Sequence, residues 1–451
     1  METDIVVEAV EPTFSEERLR TPLKFGTGVI THITMLTVRA QVRNRRGETA
    51  SGAGCILLSD IWAFPSAVLD HAARDAAMRR LAERACRAYL EAGAHFAHPL
   101  AISWDVKNWL PRLAEEVTKE LGLVEPVPVL AAQVCASPAD AAVHDAFGKL
   151  CGVPTYDAYG PRFSEHDLAR YLGPRFAGRY LSDFLAPRYR PELPIFHLVG
   201  ALDKLTENEI SESDPQDGLP VSLDQWIRRD GLFCFKVKIT GTDIDWDVER
   251  TAAVADVAYR TRQSMGSDGT IFLSADSNEL HHGPEAVVEY LRKLRERSPL
   301  AYGALLYVEQ PTERDLEAHS FDMRPVAALK PVLADEGITD VRHVDVARRL
   351  GWSGVALKTC KGHAAALLCA AKALAEGMLL SVQDLTNPGL ALIHSAGLAA
   401  RLPTVMGFEY NARQYLPFSQ PDIQQAHEPL FRVRGGKVSL RSLSPTGLGY
   451  G

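Results

Sequence analysis

The sequence predicts an α/β fold in which a parallel β/α barrel follows an α+β unit, and three observations carry that prediction. Between residues 194 and 409, eight short apolar runs alternate with mostly helical segments, the pattern of strands buried on both faces and joined by crossover helices. No G-x-G-x-x-G follows any of these runs, which argues against a dinucleotide-binding doubly wound sheet. Six of the runs end in a charged side chain, and barrel strands present functional side chains at their C-terminal ends.

Taken in order, the first 58 residues hold β-rich runs such as HITMLTVRAQV and CILLS, joined by the turn-prone NRRGETASGAG; they predict a three-stranded sheet. Apolar residues recur at helical spacing over 67–90 and 107–121, and ADAAVHDAFGKL (139–150) predicts a third helix that starts just after Pro138. The stretch 161–191 is rich in Arg and Tyr and fits no element. Strands are then expected over 194–199, 232–238, 271–276, 304–309, 331–335, 354–358, 378–383 and 403–409, with helices over 245–263, 284–297, 341–350, 364–376 and 388–400. The acidic loop 202–220 follows the first of these strands on the functional face, as a lid or as a solvated insertion.

A chain of 451 residues with 46% hydrophobic and 24% charged residues can bury a large core and favours more than one domain. A net charge of -8 with dispersed cations points away from nucleic acid and toward a small-molecule ligand. No apolar stretch is long enough to span a membrane and the N-terminus lacks a secretory layout, so a cytoplasmic enzyme is expected. The seven cysteines form no CxxC pair and read as buried thiols.

The chemistry is carried by the run ends. Asp276, Glu309 and Asp335 close consecutive strands, so a barrel would bring their oxygens together. Converging carboxylates need a cation, and oxygen ligands without His or Cys favour Mg²⁺, then Mn²⁺; three unrelated strand-end acids are the alternative. Lys236 and Lys238 are two apart on one strand and project to the same face, where Lys236 could lower the pKa of Lys238. Lys358 stands across the barrel. These parts suit abstraction of a proton next to a carboxylate, with the cation stabilising the enediolate and a lysine accepting the proton; a lysine base beside Mg²⁺ is an established arrangement for such chemistry.

At these residues the chain resembles the enolase superfamily, in the mandelate racemase/muconate-lactonizing enzyme family and its dipeptide epimerase-like branch. The resemblance rests on KxK at Lys236 and Lys238, DxN at Asp276 and Asn278, Glu309-Gln310-Pro311, Asp335-Glu336, KxxKG from Lys358, the segment 141–160 and the SPTGLGYG tail. It implies a modified (β/α)7β TIM-type barrel (193–410), an N-terminal α+β capping domain (1–160), a connecting insertion (161–192) and a tail (411–451) returning to the cap. It also implies one Mg²⁺ on Asp276, Glu309 and Asp335, with Lys238 and Lys358 as acid/base catalysts on opposite faces.

The chain departs from the family where substrates are chosen. His363 replaces a usual glycine, and the seventh strand ends SVQDLTN, with Gln383 and Asp384, so a His-Asp base is not supported. Glu409 and Asn411 lie where dipeptide epimerases hold the substrate amine; Glu409 could do so, or pair with Arg413 or another arginine. Trp62 and Phe64, in LSDIWAFP, suggest apolar substrate contacts or cap core, and Asn278 is a further substrate candidate. His394 reads as a packing histidine. Arginines of 161–191 could bind an acidic substrate or form an oligomer contact. The expectation is a racemase or epimerase of a small-molecule carboxylate, in a homo-oligomer; a cycloisomerase or syn-dehydratase is the alternative, and a non-catalytic binding scaffold the alternative of another class.

Overall fold

The computed structural model describes residues 1–25 and 28–451. β1 (Ile5–Phe25), β2 (Gly28–Asn44) and β3 (Thr49–Leu57) form an antiparallel sheet in chain order, as expected. Leu36, Val38, Ala40 and Val42 alternate along β2 and are buried against three helices, His71–Ala92, Pro99–Glu120 and Val129–Cys151; the period of two puts one sheet face on the cap core. Between Arg18, opposite His32, and Leu23, opposite Ile30, the pairing shifts register. Four residues of β1 there span one of β2, and such a bulge bends and twists a strand pair.

The third cap helix starts at Val129 and contains Pro138, where the sequence predicted a start after that proline. Leu130 to Gly148 are all buried, so no solvent-exposed face marks the helix, and the proline reads as a boundary. Gly54 explains the close packing on this helix: a Cβ there would lie 2.1 Å from the Pro138 carbonyl oxygen.

The barrel strands are β4 (Glu192–Val199), β5 (Cys234–Lys238), β6 (Phe272–Asp276), β7 (Leu305–Glu309), β8 (Val332–Ala334), β9 (Gly354–Leu357), β10 (Leu379–Val382) and β11 (Phe408–Glu409). β4 to β10 pair in parallel in sequence order, and β11 pairs with β4. The bridge between Leu380 and Thr404 ties β10 to the segment entering β11 and closes the ring. All eight expected strands are present; seven lie within two residues of the expected ends, and the last, expected over 403–409, is confined to Phe408–Glu409. The expected helices appear as Ile244–Ser264, Pro284–Arg297, Val341–Arg349, His363–Ala375 and Gly389–Arg401. Leu223–Asp230 and Pro299–Ala304 are further helices that the sequence pattern did not separate from their surroundings.

β12 (Lys437–Ser439) pairs antiparallel with β4, after which the chain crosses to the cap. There the Leu448 amide donates to Asp145 Oδ1 (2.8 Å) and the Tyr450 hydroxyl to the Ala53 carbonyl. The 161–191 stretch is built of short helical turns; Arg190 donates to the Ala399 and Leu402 carbonyls, tying it to the barrel's last long helix.

Candidate active site

Strand alternation builds the barrel interior in layers. Phe196, Cys234, Tyr307 and Leu333 form a buried apolar floor from four strands. Two residues further along β5 stands Lys236, paired in register with Ser274, and two beyond it Lys238 is in register with Asp276, itself opposite Glu309. Asp335, Lys358, Gln383 and Glu409 end β8 to β11 or follow them directly. A period of two over a fixed register therefore gathers these strand-end residues at one end of one barrel.

Lys236 is the hub. Its ammonium lies 2.9 Å from Asp276 Oδ2, 2.8 Å from Glu309 Oε1 and 3.3 Å from Glu409 Oε2, and 3.4 Å from Gln383 Oε1. Burial opposes this charge, but Asp276, Glu309, Glu409 and Asp335 together outweigh it and hold the Lys236 pKa well above the ordinary lysine value. Lys238 donates to the same Asp276 oxygen (2.6 Å) and to Asn278 Oδ1 (2.7 Å). Across the barrel Lys358 is 2.7 Å from Asp335 Oδ2, and Lys361 is 3.0 Å from Asp335 Oδ1. Lys358 is also held protonated: burial works against its charge, but Asp335 and Glu336 prevail.

The three strand-end carboxylates respond differently. For Asp276 and Asp335 burial favours the neutral acid, but two neighbouring lysines each overcome it and keep them ionised. Glu309 is pushed well above the usual carboxylate range, by burial first, with Asp276 and Asp335 adding to it. Its Oε2, like Glu336 Oε2, is buried without a hydrogen bond.

These observations bear on whether a divalent cation fits. Lys236, Lys238, Lys358 and Lys361 face five carboxylates, Asp276, Glu309, Asp335, Glu336 and Glu409, which when ionised leave one negative charge over. An all-oxygen donor set with an unpartnered buried carboxylate oxygen suits Mg²⁺. As the side chains stand, no group of three His, Cys, Asp or Glu among the described residues is gathered to hold an ion, because lysines take up the carboxylate oxygens. The donor set fits; loading it requires those ammonium groups to yield.

The pocket that opens onto this centre is lined by Lys236, Lys238 and Lys358, by Asp384, Glu409 and Asn411, and by a roof of Leu19, Leu23, Ile30 and Ile33 from the bulged part of the cap sheet. The roof leucines and isoleucines had no signal in the sequence beyond their β pattern. Asp384 is pushed up to about 7, by burial and then by Glu409. Its oxygens accept from the Asn387 and Asn411 amides, so it also caps a turn.

Some candidates fall elsewhere. Trp62 and Phe64 are buried at 1% exposure and do not line this pocket. Phe64 belongs to the cap core; Trp62 donates from Nε1 to Glu336 Oε1 (2.7 Å). Gln383 supports Lys236 and donates to Tyr307 Oη (2.8 Å) instead of reaching the pocket. Arg413 pairs with Asp230, and Glu409 pairs with Lys236, so the ion pair between Glu409 and Arg413 is not made. No residue of 161–191 lines the pocket. Gln310 had no role assigned from its sequence context; its φ of +29° turns its side chain so that Oε1 accepts from the Asp335 amide (2.7 Å), joining the ends of β7 and β8.

Comparison with known proteins follows the same geometry. A family model described as enolase C-terminal domain-like matches residues 220–451. Among solved structures the chain is similar to a dipeptide epimerase from Enterococcus faecalis V583 complexed with Mg and the dipeptide L-Leu-L-Tyr, at 17% identity over 98% of this chain and 99% of that one, with a TM-score of 0.60. It is likewise similar to an N-succinyl Arg/Lys racemase from Bacillus cereus ATCC 14579 (18% identity, 98% and 95% covered, TM-score 0.62). A third is the 2-chloromuconate cycloisomerase of Rhodococcus opacus 1CP (18% identity, 99% and 96% covered, TM-score 0.59). No curated protein matches the chain.

Proposed function

The chain belongs to the enolase C-terminal domain-like family, and from that premise we propose that it is a Mg²⁺-dependent racemase or epimerase acting on the carbon next to a substrate carboxylate. The observation that carries the reading is the placement of Lys238 and Lys358 at the ends of β5 and β9, separated around the ring by three strands yet lining one pocket. Two ammonium-bearing side chains on different sides of one cavity can serve the two faces of one carbon.

Asp276, Glu309 and Asp335 would hold the cation, which supplies positive charge for the substrate carboxylate as it takes up electron density. Lys238, released from Asp276 and deprotonated, takes the α-proton, and the C–H electron pair moves into the carboxylate. Lys358, kept protonated by Asp335 and Glu336, gives a proton to the other face. Microscopic reversibility exchanges the two roles for the other enantiomer. Lys236 keeps the carboxylates gathered, and the roof excludes water from the carbanionic stage.

A second reading has its own observation. Lys358 sits between Asp335 Oδ2 and the Trp62 ring, 4.4 Å from its centroid, a setting that suits a fixed cation. As such it would stabilise the intermediate of a cycloisomerisation or syn elimination while Lys238 alone moves the proton.

Proton exchange in D₂O with Mg²⁺, followed by NMR over pooled amino-acid derivatives, dipeptides and sugar acids, tests both readings. Racemisation predicts exchange of both enantiomers of one compound, each lost in Lys238→Ala or Lys358→Ala. Exchange of a single enantiomer that survives Lys358→Ala favours the second reading. Exchange of nothing in any pool, with Mg²⁺ bound, overturns both and leaves a binding scaffold.

A further inference from the structure

We propose that Trp62 of the capping domain is the positioning residue of Lys358, holding its ammonium on the face of the indole so that proton delivery to one side of the substrate depends on the cap. The inference rests on the acid/base role given to Lys358 above, but the contact itself does not.

Four contacts lock the indole in place. Trp62 sits on the short helix Asp60–Ala63 after the cap sheet, and Asp60 anchors that helix through Arg74 (2.8 Å) and His71 (3.1 Å). Nε1 donates to Glu336 Oε1 (2.7 Å), a residue 274 positions away on the barrel. The Trp62 carbonyl accepts from Arg314 (3.3 Å), and Arg314 is forked onto Glu279, at 2.7 Å to Oε2 and 2.5 Å to Oε1. The ring is thus fixed at its edge and at its backbone by barrel groups.

Against this ring lie the two lysines of the KxxKG segment, Lys358 Nζ 4.4 Å and Lys361 Nζ 5.9 Å from its centroid. Both are within the range at which an ammonium is attracted by the negative face of an indole, and the interaction strengthens when water is absent. Trp62 is 1% exposed and Lys358 5%. The Lys358 stem is flexible, and besides the indole its ammonium is held by Asp335 Oδ2. That carboxylate is also a proposed cation ligand. Were a cation to take up Asp335, the indole would remain as a neutral surface that still directs Nζ.

The test uses the full-length, Mg²⁺-loaded protein as wild type, Trp62→Leu, Trp62→Phe and Lys358→Ala, with each enantiomer of a substrate found in the exchange screen. Trp62→Leu is expected to slow, by about tenfold, the transfer step that Lys358→Ala abolishes, and to leave the Lys238 step unchanged. Trp62→Phe, which keeps an aromatic face but not the Glu336 hydrogen bond, is expected to recover most of that loss. Equal slowing of both steps, or no slowing, overturns the proposal.

A second measurement needs no substrate. In protein labelled with ¹³C at lysine Cε, with Lys358→Arg supplying the assignment, the Lys358 signal is expected upfield in wild type and Trp62→Phe through the ring current. In Trp62→Leu it returns to the ordinary lysine position. A wild-type signal at the ordinary position overturns the contact, whatever the exchange screen finds; an upfield signal with no exchange of any compound upholds the contact and removes the catalytic reading.

Discussion

Lys236 shows how a single residue holds this site together before any ligand arrives. It touches three carboxylates while 2% exposed. Removing one partner of a buried ion cluster leaves uncompensated charge, at a typical cost of about 3–5 kcal/mol. Lys236→Met is therefore expected to lose stability of that order in chelator-treated protein, measured by urea unfolding. The same change removes a competitor for the carboxylate oxygens, so Mg²⁺ should raise the melting temperature of the variant more than that of wild type. An equal or smaller Mg²⁺ increment in the variant would count against Asp276 and Glu309 as cation ligands. Residue identities at strand ends were the most legible part of this chain, because a charge closing an apolar run is visible in the sequence. Trp62 was visible only as a large aromatic in a cap loop; its partners Glu336, Lys358 and Arg314 are distant in sequence, and nothing local signals them.

At the scale of elements, the bulged strands β1 and β2 meet the acidic loop 202–220 through one side chain. Arg20 makes a fork on Asp217, at 2.6 Å to Oδ2 and 2.9 Å to Oδ1, and donates to the Pro220 and Leu219 carbonyls. Its side chain is 6% exposed, and its neighbours Leu19 and Leu23 roof the pocket. Cap and loop are therefore fastened at the pocket edge by a bidentate pair, the arrangement in which arginine cannot be replaced by lysine without loss of geometry. Arg20→Lys and Arg20→Ala are both expected to raise KM for the substrate several-fold, with a smaller effect on kcat, because the roof closes less often while the lysines are untouched. Steady-state kinetics decide it; an unchanged KM removes the loop from substrate retention. The sequence presented 202–220 as a lid or a solvated insertion, and the structure ties it to the roof. The same scale explains the misplaced start of the helix Val129–Cys151. A helix buried on every side has no solvent-facing side to set against a core side, whereas the barrel strands, also buried on both faces, stayed legible through their short lengths and charged ends.

The whole molecule is joined across the cap and barrel by a buried chain of side chains whose hydrogen-bond directions follow from one end. Asp140, ionised, can only accept; His144 Nε2 approaches its Oδ1 at 3.3 Å, and Ser103 donates to the same oxygen. With its proton on Nε2, His144 accepts at Nδ1 from the Tyr159 hydroxyl (2.6 Å). The Tyr159 oxygen then accepts from His363 Nε2 (2.8 Å), which leaves His363 Nδ1 to accept from His394 Nε2 (2.8 Å). His363, at the position where the sequence showed an unusual residue, is the link that carries the chain from cap to barrel. A second proton on it would set N–H against N–H at His394. Burial holds its pKa well below the ordinary histidine value, with His144 and His394 contributing, and burial lowers His394 to about 4. The sign follows directly: below about pH 6.5 the unfolded chain takes up protons that folded His363 refuses, so this contribution is intact above that pH and is lost as the pH falls. One such group adds a slope of about 1.4 kcal/mol per pH unit. His363→Ala is expected to be less stable than wild type at pH 7, through the cavity and the broken chain, yet to lose less stability between about pH 6.5 and pH 4.5. Urea unfolding at several pH values measures both. Parallel pH profiles for the two proteins would mean that His363 titrates alike in the folded and unfolded states and that the chain does not couple cap to barrel through its protonation.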